Sequence, residues 1–131
     1  MLRHLRLAFA YGLLVGLLVG LLVAPLCLGC AEQPSASPQD VVSAFFGAVA
    51  SNDCAGAVAL LDGLAKERFE GEGCNEALEA LRRKQFEQVL GAQVDGRDER
   101  MHLVRVRFIG ERETVLIGVR KTRRGHRIVS F

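Results

Sequence analysis

Cysteines are the side chains of this sequence with the clearest chemistry. A thiolate can attack an electrophile or bind a metal ion, and two thiols form a disulfide in an oxidising compartment. Cys54 and Cys74 have no neighbouring C-x-x-C or H-x-x-x-H companion of the kind that a tetrahedral zinc site uses. We therefore predict no metal site and no cofactor. The chain has four cysteines, Cys27, Cys30, Cys54 and Cys74.

Side chains suited to acid–base catalysis are sparse. Beyond residue 29 there is no tyrosine or tryptophan, and the histidines there are His102 and His126. General acid–base catalysis requires a positioned partner that tunes the pKa of the reacting group, and the sequence shows no such pair. His102 shares strand parity with Val104 and Val106, so we expect it on the inner side of the sheet, and a lone histidine is more often structural than catalytic. We predict that the protein is not an enzyme.

A basic stretch near the C-terminus, RKTRRGHR over residues 120–127, could bind anions. Anionic lipid head groups or glycans would suit such a cluster. The alternative is a solvated turn whose charges keep sheet edges from pairing with other chains. The predicted site consists of Arg120, Lys121, Arg123, Arg124 and Arg127.

Charge is divided unevenly along the chain. Residues 30–96 carry five bases and eleven acids, whereas residues 97–131 carry ten bases and four acids. This asymmetry is compatible with two layers of complementary charge in one domain, or with contact to an anionic partner. Nucleic acid is an unsuitable partner if the protein is exported.

The N-terminus is typical of an export signal. A short basic region, MLRHLRL, precedes an uncharged run ending near Leu28, and Pro25 interrupts this run before Cys30. We predict a signal peptide over residues 1–29. The run of about 20 residues is also long enough to cross a bilayer. An uncleaved single-span protein is therefore the alternative, pairing its helices through the small residues Gly12, Gly16 and Gly20.

The segment LCLGCAEQ resembles the lipobox of bacterial lipoprotein precursors. Gly29 directly precedes Cys30, as that pattern requires, although Cys27 and Leu28 depart from its usual residues. The resemblance implies cleavage before Cys30, a thioether link to diacylglycerol and acylation of the new amine. It also implies a location in the bacterial cell envelope, membrane-anchored and facing the periplasm or the exterior.

Cys54 and Cys74 remain if Cys27 is removed and Cys30 is lipidated. In an exported domain these two are placed to form a disulfide. The loop of about 20 residues that it closes would be worth roughly 3 kcal/mol in the chain-entropy model. Two ordinary buried thiols are the alternative.

Helices are predicted first along the mature chain, after a flexible tether over residues 30–37. Ser37 is the predicted cap of the first helix, which ends near Asn52. A second helix follows over CAGAVALLDG, and LAKERFEGEG is predicted to be a polar connection. The third helix is predicted over NEALEALRRKQFEQVLG, ending at Gly91.

Strands are predicted after Gly91, where the hydrophobic period changes to two. AQVDGRDER supplies a weak strand, and MHLVRVRFIGE, RETVLIGVRKT and HRIVSF supply three more. Consecutive strands with short turns form an antiparallel meander. Residues 38–131 are thus predicted to be an α+β domain, with N-terminal helices packed on a curved antiparallel sheet.

This order of elements resembles the NTF2-like superfamily, a cone of helices packed into a curved sheet. The matching pieces are SPQDVVSAFFGAVASNDCAGAVALL at the start and GHRIVSF at the end, where His126 stands in place of a common tryptophan. The resemblance implies a module that binds a small apolar ligand or an unknown protein. The alternative it offers is a small-molecule enzyme that uses the cone.

Overall fold

Four helices precede four strands in residues 35–131, the part of the chain that the computed structural model describes. This order confirms the α+β class and the antiparallel sheet. The predicted signal peptide over residues 1–29, Cys30 and the glycines of the apolar run lie outside the described residues. The elements are α1 (Pro38–Ala50), α2 (Cys54–Ala59), α3 (Gly63–Glu72), α4 (Cys74–Arg83), β1 (Phe86–Asp95), β2 (Asp98–Phe108), β3 (Val115–Thr122) and β4 (Gly125–Ser130).

Helix α1 begins with the predicted capping box. The backbone N–H of Asp40 donates to Ser37 Oγ over 3.1 Å, and the Asp40 carboxylate accepts from the Ser37 hydroxyl and backbone N–H over 2.7 and 3.0 Å. The hydroxyl hydrogen bond, followed by the backbone one, lowers the pKa of Asp40 below its ordinary value of 3.8. Ser37 therefore fixes where the chain enters the domain.

The prediction of a polar connection over LAKERFEGEG was wrong, because helix α3 occupies this segment. The Asp62 carboxylate accepts from the backbone N–H of Gly63 over 2.9 Å at the helix start. Ala65 and Phe69, four residues apart, are then both buried against the core. Two buried residues in a helix of ten give only a weak hydrophobic period. Helix α3 therefore depends on tertiary packing and on its cap.

The prediction that the third helix continues to Gly91 was also wrong. Helix α4 ends at Arg83, and Gln85 adopts a left-handed conformation at φ 52° before β1 starts. Strand β1 has register shifts between Phe86 and Gln88 and between Val89 and Gly91. Each bulge inserts one extra residue, so the inward residues Phe86 and Val89 are three apart and imitate a helical repeat.

The sheet has the order β1-β2-β3-β4, and all neighbouring strands are antiparallel. Its β1–β2 and β3–β4 hairpins lie at one end, which we call the hairpin end. At the β4 edge, Ile128 N–H donates to the Leu60 carbonyl and Asp62 N–H donates to the Ile128 carbonyl, both over 2.9 Å. Residues 60–62 therefore cover the β4 edge.

The core lies between the helices and one face of the sheet. Phe45 and Phe46 of α1 are its centre: Phe46 stacks on Phe86 with ring centroids 4.2 Å apart, and Phe45 packs edge-on against Phe69. Among residues 35–70 and 73–131 no polar or charged residue is buried. The sheet contributes Val104, Val106, Phe108, Ile117, Val119 and Ile128.

A disulfide joins Cys54 to Cys74, which confirms the predicted pairing. The two residues are the first of α2 and of α4, and their Cα atoms are 5.9 Å apart, within the usual range for a disulfide. The bond therefore holds two helix starts together across a separation of 20 residues.

Candidate functional site

Apolar side chains pack between the helices and the sheet. A partly open cavity beside Phe69 and Phe131 has a volume of about 160 Å³, whereas small-molecule pockets usually measure about 300–1,000 Å³. Arg68, Phe69, Ala77, Ala80, Leu81, Lys84 and Phe131 line it.

His102 lies on the inner face of β2 at the hairpin end, as its parity with Val104 predicted. Its Nδ1 is buried without a hydrogen-bond partner. The ring meets that of His126 edge-on, with centroids 5.3 Å apart. His126 in turn has its Nδ1 2.9 Å from the Ala36 carbonyl oxygen, to which it can donate. The two histidines thus pack where the chain enters the domain.

The opposite face of the sheet is uncovered by the helices of residues 35–131, and we call it the outer sheet face. Strand register places Leu103 and Arg105 of β2 on this face, opposite Gly118 and Leu116 of β3. Leu116 is 46% exposed. The full set at these register positions is Gln88, Gly91, Gln93, Met101, Leu103, Arg105, Arg107, Leu116, Gly118, Arg120, Arg127 and Ser130.

Charge at these twelve register positions is of one sign. The twelve residues include four arginines and no carboxylate. The arginines of β2 point away from the helices, so they do not face the acidic helical layer directly. The outer sheet face therefore combines apolar side chains with basic groups, a composition found at the centres of protein interfaces.

An open groove of about 420 Å³ runs along one margin of the outer sheet face. Its apolar side chains are Leu64, Met101 and Val129, and Leu64 is 78% exposed. Asp62 and Arg120 add one charge of each sign. The groove is lined by Asp62, Gly63, Leu64, Met101, Arg120, Val129 and Ser130.

The five predicted basic residues lie together at the β3–β4 hairpin, and we call this set the basic hairpin. Arg120 pairs with Arg127 across the two strands. Arg123 and Arg124 are exposed in the turn, where Thr122 Oγ1 donates to the Gly125 carbonyl over 2.7 Å. Gly125 has φ 92°, a conformation that favours glycine. The turn therefore presents the cations on a defined loop.

Comparisons of the chain with family models, with curated proteins and with solved structures give no match. The resemblance to NTF2-like proteins therefore rests on the order of elements. Residues 35–131 contain no group of three or more His, Cys, Asp or Glu side chains arranged to hold a metal ion. Over the same range, none of the helices combines the length and the apolar character needed to span a membrane.

Sequence reasoning located the basic hairpin and missed the groove. The hairpin residues are close in sequence, so composition alone revealed them. The groove brings Asp62 and Leu64 at the start of α3 to Met101 of β2 and Val129 of β4. Only the packing of α3 against β4 creates this neighbourhood. Strict alternation in LVRVRF predicts the outward arginines of β2, Arg105 and Arg107, and both are exposed.

Proposed function

We propose that this chain is a lipid-anchored, non-catalytic protein of the bacterial cell envelope whose NTF2-like domain binds a protein partner. The LCLGC segment supports an anchor at Cys30. The observation that carries the binding role is the contrast between the two faces of the sheet. The inner face is buried against the apolar core, while the outer sheet face presents exposed Leu116 among arginines.

A protein surface fits this face better than a small apolar ligand. Apolar and arginine side chains together dominate the energetic centres of protein interfaces. Because the twelve residues of the face include no carboxylate, a partner with acidic groups around an apolar centre would be electrostatically complementary. A small apolar ligand would need interior space, and the cavity of about 160 Å³ beside Phe69 is below the usual size.

Two alternatives make different demands on the molecule. An enzyme in the cone would need an open polar pocket around His102, whereas the core cluster of the described residues is apolar. An uncleaved single-span protein would keep its N-terminal segment and pair through Gly12, Gly16 and Gly20. Mass measurement separates this second alternative from the lipoprotein.

Intact-mass analysis of the protein extracted from membranes tests the anchor. We expect a mass that starts at Cys30 and includes acyl chains, because the lipobox-like segment directs cleavage and lipidation there. Cys30→Ala should abolish both modifications and leave the segment over residues 1–29 attached. A wild-type mass that starts at Met1 and lacks acyl chains would favour the single-span alternative.

Site-specific photo-crosslinking in the cell tests the binding surface. A photoreactive residue in place of Leu116 should give an adduct of one discrete mass, because its side chain lies exposed on the outer sheet face. The matched control is Val94, which is 54% exposed, close to the 46% of Leu116, but pairs with His102 of the inner face. Equal labelling at both positions, or none at Leu116, would contradict the proposed surface.

A further inference from the structure

We propose that the basic hairpin docks on anionic phospholipid head groups of the membrane to which the chain is anchored. This contact would orient the domain with its hairpin end toward the bilayer. The inference rests on the proposed function in one respect, the anchor at Cys30. It does not depend on what the outer sheet face binds.

The chain enters the domain beside the basic hairpin. The Ala36 carbonyl oxygen is 2.9 Å from Nδ1 of His126, which is the second residue of β4 and directly follows the hairpin turn. The capping box at Ser37 then directs the chain into α1. The start of the described chain is therefore fixed at the hairpin end of the sheet.

Chain length limits how far the hairpin end can lie from the anchor. Ala36 is six residues after Cys30, and a fully extended chain of that length spans at most about 22 Å. If Cys30 carries the lipid, Ala36 can lie no further than this from the membrane surface. The Ala36–His126 contact brings the basic hairpin within the same reach.

Electrostatics at the hairpin end favour an anionic surface. The side chains of Lys121, Arg123 and Arg124 are exposed. The neighbouring β1–β2 hairpin and the start of α1 add acidic residues. Two of these, Asp95 and Asp98, already accept hydrogen bonds within their own turn, from the backbone N–H groups of Arg97 and Arg100. Counting this whole end, the bases are Arg97, Arg100, Arg120, Lys121, Arg123, Arg124 and Arg127, and the acids are Asp40, Asp95, Asp98 and Glu99.

Seven bases against four acids give the hairpin end of the sheet a net positive charge. The turn itself, Thr122–Gly125, exposes no large apolar side chain. The contact we propose is therefore with head groups and not an insertion into the hydrocarbon core. Each basic residue near an anionic leaflet strengthens binding to the membrane surface about fivefold, and salt weakens this attraction. The centre of the outer sheet face stays accessible.

Lysine footprinting of the full chain in vesicles tests the docking. The sequence contains three lysines, at positions 66, 84 and 121, and only Lys121 belongs to the basic hairpin. In vesicles containing phosphatidylglycerol at low salt, acylation of Lys121 should slow several-fold relative to vesicles of phosphatidylcholine alone. High salt should remove the difference. Lys66 on α3 and Lys84 beyond α4 serve as internal controls and should react equally in both vesicles.

A double variant links the protection to the hairpin cations. Replacing Arg123 and Arg124 by glutamine removes two exposed charges. The turn keeps its hydrogen bonds, because the Thr122 hydroxyl donates to the Gly125 carbonyl and accepts from the backbone N–H of Arg124. The double replacement should weaken docking roughly 25-fold, as the product of two fivefold effects, and Lys121 should then react alike in both vesicles. The matched control replaces Arg82 and Arg83, an exposed arginine pair at the end of α4, and should leave the protection of Lys121 unchanged.

Sedimentation separates failure of the docking from failure of the anchor. Protein that stays with neutral vesicles at high salt is anchored independently of charge. If such protein shows equal Lys121 reactivity in both vesicles, the docking is wrong and the anchor stands. If the protein leaves neutral vesicles at high salt, the anchor fails, and the inference falls with it.

Discussion

Replacing Phe45 by alanine should lower the free energy of unfolding by about 3–5 kcal/mol, the usual loss for a buried phenylalanine. The side chain is completely buried. Its ring centroid lies 5.4, 5.8 and 5.3 Å from those of Phe46, Phe69 and Phe131. Phe45 therefore joins α1 to α3 and to the end of the chain. Its removal would leave a cavity bordered by three rings.

Equilibrium unfolding in denaturant, with the disulfide kept intact, measures this loss. Phe131→Ala is the control, because its ring joins the same cluster but is 38% exposed, and it should cost clearly less. A loss of 5 kcal/mol could unfold a small domain entirely, so Phe45→Leu is the second variant and should lie between wild type and alanine. A smaller loss for Phe45→Ala than for Phe131→Ala would contradict this assignment of the core.

Removal of the Cys54–Cys74 disulfide should have the second large effect. The bond closes a separation of 20 residues, which corresponds to roughly 3 kcal/mol in the chain-entropy model. For a domain of about 100 residues, such a loss lowers the unfolding temperature by about 12–24 °C. The helix starts of α2 and α4 would then be held by packing alone.

Thermal unfolding of the wild-type protein with and without reductant gives the measurement. The variant with alanine at both cysteines should match the reduced wild type and should not respond to reductant. Equal unfolding temperatures for the oxidised and reduced wild type would mean that the bond does not form in the protein as isolated. The alternative of two buried thiols would then apply.

Local signals predicted the parts of the fold that depend on neighbours in sequence. The capping box of Ser37 and Asp40 forms within four residues, so its pattern located the start of α1 directly. The alternation of Val104, Val106 and Phe108 located the inner face of β2 in the same way. The pairing of Cys54 with Cys74 was predicted from an oxidising compartment and from the number of cysteines left after cleavage and lipidation, without any knowledge of distances.

Long-range contacts decided the parts that sequence patterns missed. Phe86 appeared helical because a bulge shifts its spacing to Val89, and it is the stacking on Phe46 and the pairing with Phe108 that hold it in a strand. Helix α3 has few apolar residues, and contacts of Phe69 with Phe45 and Phe131 hold it against the core. None of these contacts leaves a periodic signal in the chain.

The same distinction between local signals and long-range contacts applies to the two candidate surfaces. The basic hairpin is contiguous over residues 120–127, so its composition was sufficient to locate it. The groove joins Leu64 to Met101 and Val129, residues separated by up to 65 positions, and hydrophobic periodicity carries no information about such a meeting.

The covered edge of β4 has a consequence for proteins crowded on a membrane. A lipid anchor would concentrate copies of the protein in the plane of the membrane. There, unpaired strand edges can pair with one another and extend a sheet from one copy to the next. Residues 60–62 occupy the β4 edge through two backbone hydrogen bonds, so within residues 35–131 strand β1 forms the open edge of this sheet. Filament growth requires two complementary free edges on each copy. Pairing through β1 would stop at two molecules, so this sheet cannot template a fibre without first releasing residues 60–62.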